Sequence, residues 1–352
     1  MNRKHNIKRG VSLYSFQEEY FLRKMTLEEI IATCAKLGIP GIEIIPDQMI
    51  PGYPNIPDSF VEQWHLWMDK YGRTPVCIDM FLDWNKFKGR VMDEDERVES
   101  IRQDILNANK LGCTIIRVIH DVEPAILERL ASTAEKYNVK LALEIHAPSY
   151  YDSALEQRLI EMFERVQSPY LCFTLDLGVF CKTLPRITSD RFLREGMKPA
   201  IVDYLVNAYN TQTLPHGHEL GKKEESLPEK ILSMGGREED IYWAFMGTHM
   251  IYADPRKMLP YLKYTSHIHG KFYEMVDEMT EFSIPYDEIV PVLIEGGYVG
   301  YIDSEYEGNR WIQDAVEVDS TEQVRRHQVM LKRLLGEEEV STGKSTGVIE
   351  NV

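Results

Sequence analysis

Apolar stretches of this sequence repeatedly end in groups that can hold a cation or move a proton. LALEIH carries Glu144 and His146, FTLDLG carries Asp176, SHIHGK carries His267, His269 and Lys271, and IDSEYEG carries Glu305 and Glu307. Two glutamates, an aspartate and an imidazole offer hard oxygen donors with one nitrogen. That set suits one divalent cation, Mn²⁺, Mg²⁺, Co²⁺ or Zn²⁺, rather than copper or an iron–sulfur cluster. In the strand LALEIH, residues two apart point the same way, so His146 stands beside Glu144 on the mouth side of such a cation. A histidine there can accept a proton from a bound substrate.

Each residue also has a plainer reading. Asp176 is as readily a cap for the next turn as a ligand. Glu144 lies deep in an apolar strand, where an unpaired carboxylate is costly, which favours a ligand role. Of His267 and His269, one suits a hydrogen-bonded interior position and the outer one, His269, the ligand. Glu305 is the deeper of its pair and Glu307 a rim residue. His120, ending CTIIRVIH, is either a substrate contact or a satisfied polar strand end. The histidines at 216, 218 and 249 are expected to be solvated. Phe16 is a core residue, and Tyr14 either core or substrate wall. Tyr14, His120, Lys271 and Glu307 are the expected substrate contacts.

Eight β-rich runs must position these groups: 10–16, 41–46, 74–82, 113–120, 139–146, 170–178, 264–271 and 298–308. Amphipathic helical patterns separate them. One opens on Thr26-Leu-Glu-Glu29, a capping box, and stops at Gly38. Another runs from about Asp93 to Leu111. Mostly apolar strands alternating with helices pair in parallel with both faces covered. A closed (β/α)8 barrel brings the strand ends to one mouth, whereas an open sheet would hold them far apart. Between Asp176 and His269 lie about 90 residues, where a βα unit needs about thirty. The excess, 184–253, carries Phe192, Tyr204, Tyr209, Tyr242, Trp243 and Phe245 and is expected to form a lid and partner surface over the mouth. A barrel over 9–335 and a polar, mobile tail at 336–352 complete the organisation.

Across 352 residues, 40 basic and 56 acidic side chains leave a net charge of −16. Such a balance argues against a nucleic-acid binder, which needs a basic footprint. No run approaches the roughly 18 apolar residues of a membrane span. MNRKHNIKRG is basic but leads straight into the first strand, unlike a signal peptide. The five cysteines form no C-x-x-C pair, so reduced thiols and a cytoplasmic location are expected. There is no G-x-G-x-x-G after a strand, no phosphate-loop lysine motif and no G-x-S-x-G elbow.

The order Glu, Asp, His, Glu on strands 5 to 8 resembles the xylose isomerase-like TIM barrels, which include sugar isomerases, ketose epimerases and keto-polyol dehydratases. The resemblance covers about 9–335 and implies that Glu144, Asp176, His269 and Glu305 ligate the metal. Many relatives place a histidine three residues after the strand-6 aspartate; Val179 stands there instead, which weakens a multi-metal nuclease reading. GVSLYSFQEEYFLRKMTLEE, LALEIHAP and SEYEG resemble, more narrowly, the alpha subunits of C-glycoside deglycosidases. That family implies a bound divalent metal, commonly Mn²⁺, a small β-sandwich beta subunit in a hetero-oligomer, and cleavage of the carbon–carbon bond of a 3-oxo-C-glycoside of a flavonoid or other aromatic aglycone. A ketone at sugar C3 acidifies the C2 proton. Removing it, with His146 as the base, permits β-elimination of the aglycone from C1. A metal-dependent sugar isomerase or epimerase, or a keto-polyol dehydratase, is the alternative enzyme, and a scaffold role the non-catalytic one.

Overall fold

The computed structural model describes residues 5–83, 85–119, 122–214 and 226–337. His120, His216, His218 and the tail from 338 onward therefore lie outside the described residues. Strands β1 (Asn6–Ser12), β2 (Gly41–Ile44), β3 (Thr74–Met80), β4 (Ile115–Val118), β5 (Lys140–Ile145), β6 (Leu171–Asp176), β7 (Thr265–Phe272) and β8 (Val299–Tyr306) pair in parallel in chain order. The ring closes through β1 and β8, with Asn6 opposite Val299 and Val11 opposite Ser304. The expected (β/α)8 barrel is the fold.

The first strand differs from its expected position. Asn6–Ser12 forms the strand, and Leu13–Phe16 turns into a short 3-10 helix capped by the Ser12 hydroxyl. The basic residues mark the strand's outer edge: Arg9 donates to Gln328 at 2.7 Å and pairs with Glu337 at 2.8 Å.

Local signals explain the helices that wrap the barrel. Thr26 and Glu29 form the capping box of the helix Leu27–Lys36, whose Leu27, Ile30, Ile31 and Cys34 are buried. Asp93 and Glu96 do the same for Glu94–Leu111, which ends on Gly112 in the left-handed region. Capping boxes satisfy first-turn N–H groups that would otherwise lack partners. All five cysteines are buried free thiols. Among the described residues, no helix is long and apolar enough to cross a membrane.

The long connection after β6 is helical where described: Arg186–Arg194, Pro199–Asn210, Leu227–Ser233 and Glu238–Thr248. Phe192, Leu205, Tyr209, Ile231 and Ala244 give it a buried core. It is tied to the barrel by Ala253 N–H donating to the Val179 carbonyl at 2.9 Å. Arg194 adds a hydrogen bond to the Trp311 carbonyl at 2.5 Å.

Candidate active site

Parallel register sets the chamber at the C-terminal mouth. Asp176 ends β6 directly opposite His269 of β7, and Lys271, two residues on, lies opposite Glu305 of β8. Glu144 comes from the penultimate position of β5, and His146 from just beyond its end. The sequence-derived ligands therefore meet. Ligand atoms of Glu144, Asp176 and His269 all lie within 4.8 Å of one another. His269 Nδ1 is 3.0 Å from Glu144 Oε1 and 3.4 Å from Glu305 Oε1. All four side chains are buried.

Asp176 takes the capping role and keeps its second oxygen in the chamber. Its Oδ1 accepts from the Gly178 N–H at 2.6 Å, capping the turn after β6. Its Oδ2 lies 2.6 Å from Lys271 Nζ. Gly178 is required here because a Cβ would sit 2.8 Å from Asp176 Oδ1 and 3.1 Å from Lys271 Cδ. Lys271 also faces Glu305 at 3.7 Å and Glu307 at 3.6 Å. Burial alone would lower this ammonium, but Asp176, Glu307 and Glu305 outweigh it and hold Lys271 well above its ordinary range.

His146 Nδ1 lies 2.7 Å from the Ala147 carbonyl, which makes Nδ1 the donor and leaves Nε2 as the acceptor. Lys271 Nζ is 3.0 Å from that Nε2, and Asp176 Oδ2 is 3.8 Å away. Burial, then Lys271, push His146 below its ordinary value, so the ring is neutral near pH 7 and able to take a proton. Burial pushes Glu305 up to about 8, with Asp176 and Glu307 adding to the rise.

The donor chemistry fits a divalent cation. Glu144 Oε1, Asp176 Oδ2 and Glu305 Oε2 are buried and accept no well-aligned hydrogen bond. Lys271 supplies one positive charge to this cluster, 2.6 Å from Asp176 Oδ2, and three buried carboxylates with one imidazole are the donor types a divalent cation takes. Beside this cluster lies a chamber of about 150 Å³, lined by Glu144, His146, Lys271 and Glu305 together with Tyr14, Asp79, Arg117, Glu307 and Arg310. Tyr14, Lys271 and Glu307 are thus all on its wall.

Residues 31–181 match the family model described as xylose isomerase-like TIM barrel. The "C-glycoside deglycosidase alpha subunit" of Microbacterium trichothecenolyticum is 31% identical over 86% of this chain and 84% of its own length. The chain belongs to the C-glycoside deglycosidase alpha-subunit family. The "3'-dehydrocarminate deglycosidase alpha subunit" of a Microbacterium species is 29% identical over 95% of this chain and 97% of its own. Among solved structures, the "IOLI protein with a binding zinc atom" superposes with a TM-score of 0.53 at 15% identity, covering 95% of this chain and 99% of that one.

Several groups that shape this deglycosidase-family site were not singled out in its sequence. Arg117 of β4 bridges Asp79 and Glu144, at 2.6 Å to each. It outweighs the burial that would raise Glu144 and, with His269, keeps that carboxyl ionised. Below the chamber, His267 lies 2.7 Å from Glu43 and 3.6 Å from Asp303. Gly10 makes room for Asp303, since a Cβ there would sit 1.9 Å from its Oδ1. Charged residues inside apolar strands signalled Glu43, Asp79, Arg117 and Asp303, but pairing them requires the register across the barrel.

One expectation is corrected. His249, expected to be a solvated histidine of the insertion, is half-buried and stacks on His146, with centroids 6.1 Å apart and planes 14° apart. Its Nδ1 lies 2.7 Å from the Met246 carbonyl. The reason is topological: the helix Glu238–Thr248 ends at the barrel mouth, where the residue that caps it meets the end of β5.

Proposed function

We propose that this chain is the catalytic alpha subunit of a metal-dependent C-glycoside deglycosidase, a carbon–carbon lyase acting on 3-oxo-C-glycosides. One observation carries the reading: His146, pushed below its ordinary value by burial, borders a buried cluster of carboxylate oxygens and an imidazole in a chain of the deglycosidase family.

Glu144, Asp176, His269 and Glu305 would hold the divalent cation. Mn²⁺ is the first choice, and Mg²⁺, Co²⁺ and Zn²⁺ suit the same donors. When bound, such a cation supplies Lewis-acid polarisation of the sugar's C3 ketone. Once Lys271 Nζ, 3.0 Å from it, turns to the substrate, His146 Nε2 takes the proton from C2, while its Nδ1–H, held on the Ala147 carbonyl, fixes the tautomer. Electrons of the C2–H bond enter an enolate. When the ketone re-forms, they become the C1=C2 bond, and the C1–aglycone bond breaks with its pair on the aglycone carbon, which takes up a proton. Ordinary two-carboxylate glycosidase chemistry protonates a leaving oxygen and has no hold on this bond. Asp176, 3.8 Å from Nε2, stabilises the imidazolium that forms.

The relatives are named alpha subunits, and we extend that to a small β-sandwich beta subunit and a hetero-oligomer in the cytoplasm. The connection at 184–253 serves as lid and partner surface, since it reaches the mouth through His249. Incubating the Mn²⁺-loaded chain, alone and with a candidate beta subunit, on a 3-oxo-C-glucoside and on the unoxidised C-glucoside tests the function. Aglycone release from the oxo compound alone supports it. Intact C–C bonds with an epimerised or isomerised sugar would instead establish the epimerase reading.

A further inference from the structure

The acidic chamber adjoins a second, unlike cavity. This groove has a volume of about 540 Å³ and is lined by Tyr14, Phe21, Leu22, Gln48, Phe81 and Arg310 among others. Tyr14, Phe81 and Arg310 line both cavities, so the two adjoin. The chamber, at about 150 Å³, is smaller than the roughly 300–1,000 Å³ of ordinary ligand pockets, whereas the groove lies within that range.

The two differ in chemistry. Carboxylates, Lys271 and Arg117 wall the chamber, while the groove, beside Glu18 and Arg310, presents exposed aromatic and aliphatic side chains. Phe21 is 54% exposed, Leu22 58% and Phe81 39%. Exposed large apolar groups gathered at the lip of a site mark a binding surface. A ligand filling both spaces is polar at one end and apolar at the other.

We propose that the groove of Tyr14, Phe21, Leu22, Gln48, Phe81 and Arg310 binds the aromatic aglycone while the sugar occupies the acidic chamber. This rests on the deglycosidase reading and assigns the residues that select the aglycone. Phe81 lies over the Arg117 guanidinium, with the cation 5.1 Å from the ring centroid, so the groove begins at the group that holds Glu144. Phe21 and Leu22 line its outer part and do not line the chamber.

A sugar-free probe, 4-methylumbelliferone, tests the groove by fluorescence titration of the Mn²⁺-loaded chain. The double variant Phe21→Ala/Leu22→Ser should weaken the probe by about tenfold or more, the scale of lost burial for such side chains. Binding of 3-oxo-glucose should stay within about twofold in the variant, a readout that misfolding would move. Unchanged probe affinity overturns the proposal, and if the variant then also fails to capture the beta subunit, the groove is a protein interface. The two readings separate cleanly. Probe binding that depends on Phe21 and Leu22 without any C–C cleavage retains an aromatic site and removes the deglycosidase function. Cleavage with an unchanged preference between one-ring and three-ring aglycones in the variant retains the function and removes the groove.

Discussion

Glu43 holds the far side of the His269 ring: His269 Nε2 is 3.2 Å from Glu43, while Nδ1 faces Glu144 at 3.0 Å. A carboxylate behind a histidine fixes its tautomer and orientation and strengthens it as a ligand. Glu43 reaches this position from β2, across the barrel from β7, so one buried carboxylate braces the chamber from below. The variant Glu43→Gln should weaken Mn²⁺ by about 10–100-fold while the barrel stays folded. Electron paramagnetic resonance titration of free Mn²⁺ measures this, and an unchanged affinity would show that Glu43 does not position the ring.

The ligand set makes its own prediction. Glu144→Gln should lose metal and activity together, with an unaltered circular dichroism spectrum. Full metal occupancy after any two of Glu144, Asp176, His269 and Glu305 are replaced would sink the proposed centre.

His146→Ala should keep metal and substrate binding and lose turnover by roughly two to four orders of magnitude, the usual worth of a positioned acid–base group. A rate equal to wild type would transfer the proton chemistry to a ligating glutamate.

Away from the site, Asp104 governs a pH effect on stability. Tyr53 donates to its Oδ1 at 2.7 Å, but burial pushes the carboxyl up to about 7, against about 3.9 when unfolded. The folded state therefore binds this proton more tightly. Its stabilising share is complete below the unfolded value and is lost as pH rises from about 4 to about 7. Asp104→Asn should flatten that part of the curve and raise stability at pH 8 by on the order of 1–3 kcal/mol. Urea unfolding at pH 5 and pH 8 checks it; an equal pH slope in variant and wild type contradicts it.

The insertion offers the last variant. Tyr242 and Phe245, one turn apart on Glu238–Thr248, are 57% and 45% exposed. Large exposed aromatics suit the anchors of a stable interface. Tyr242→Ser/Phe245→Ser should reduce capture of a co-expressed beta subunit, read by size exclusion with light scattering, without changing metal content. Undiminished capture would place the partner elsewhere.

Much of this was legible because a parallel barrel projects strand ends to one mouth. Glu144, Asp176, His269 and Glu305 could be brought together without knowing any distance, and the capping box at Thr26 and Glu29 needed only local spacing. Arg117 was not legible in the same way. Its partners Asp79 and Glu144 lie on the strands either side, and only register shows that the three charges satisfy one another. The start of β1 was missed because Lys8 and Arg9 resemble a solvated basic leader; Arg9 instead packs outward onto Gln328 and Glu337 near the far end of the chain. His249 depended on where a long helical excursion returns, which no local pattern encodes.

A 3-oxo-C-glucoside deuterated at C2, turned over by the Mn²⁺-loaded chain with its beta subunit, gives the most direct measurement. Mass spectrometry should find free aglycone and a 1,2-unsaturated 3-keto sugar in equal amounts, with the C2 deuterium released to solvent. Retention of the deuterium in the sugar, or an intact C1–aglycone bond after that deuterium has exchanged, would contradict the elimination.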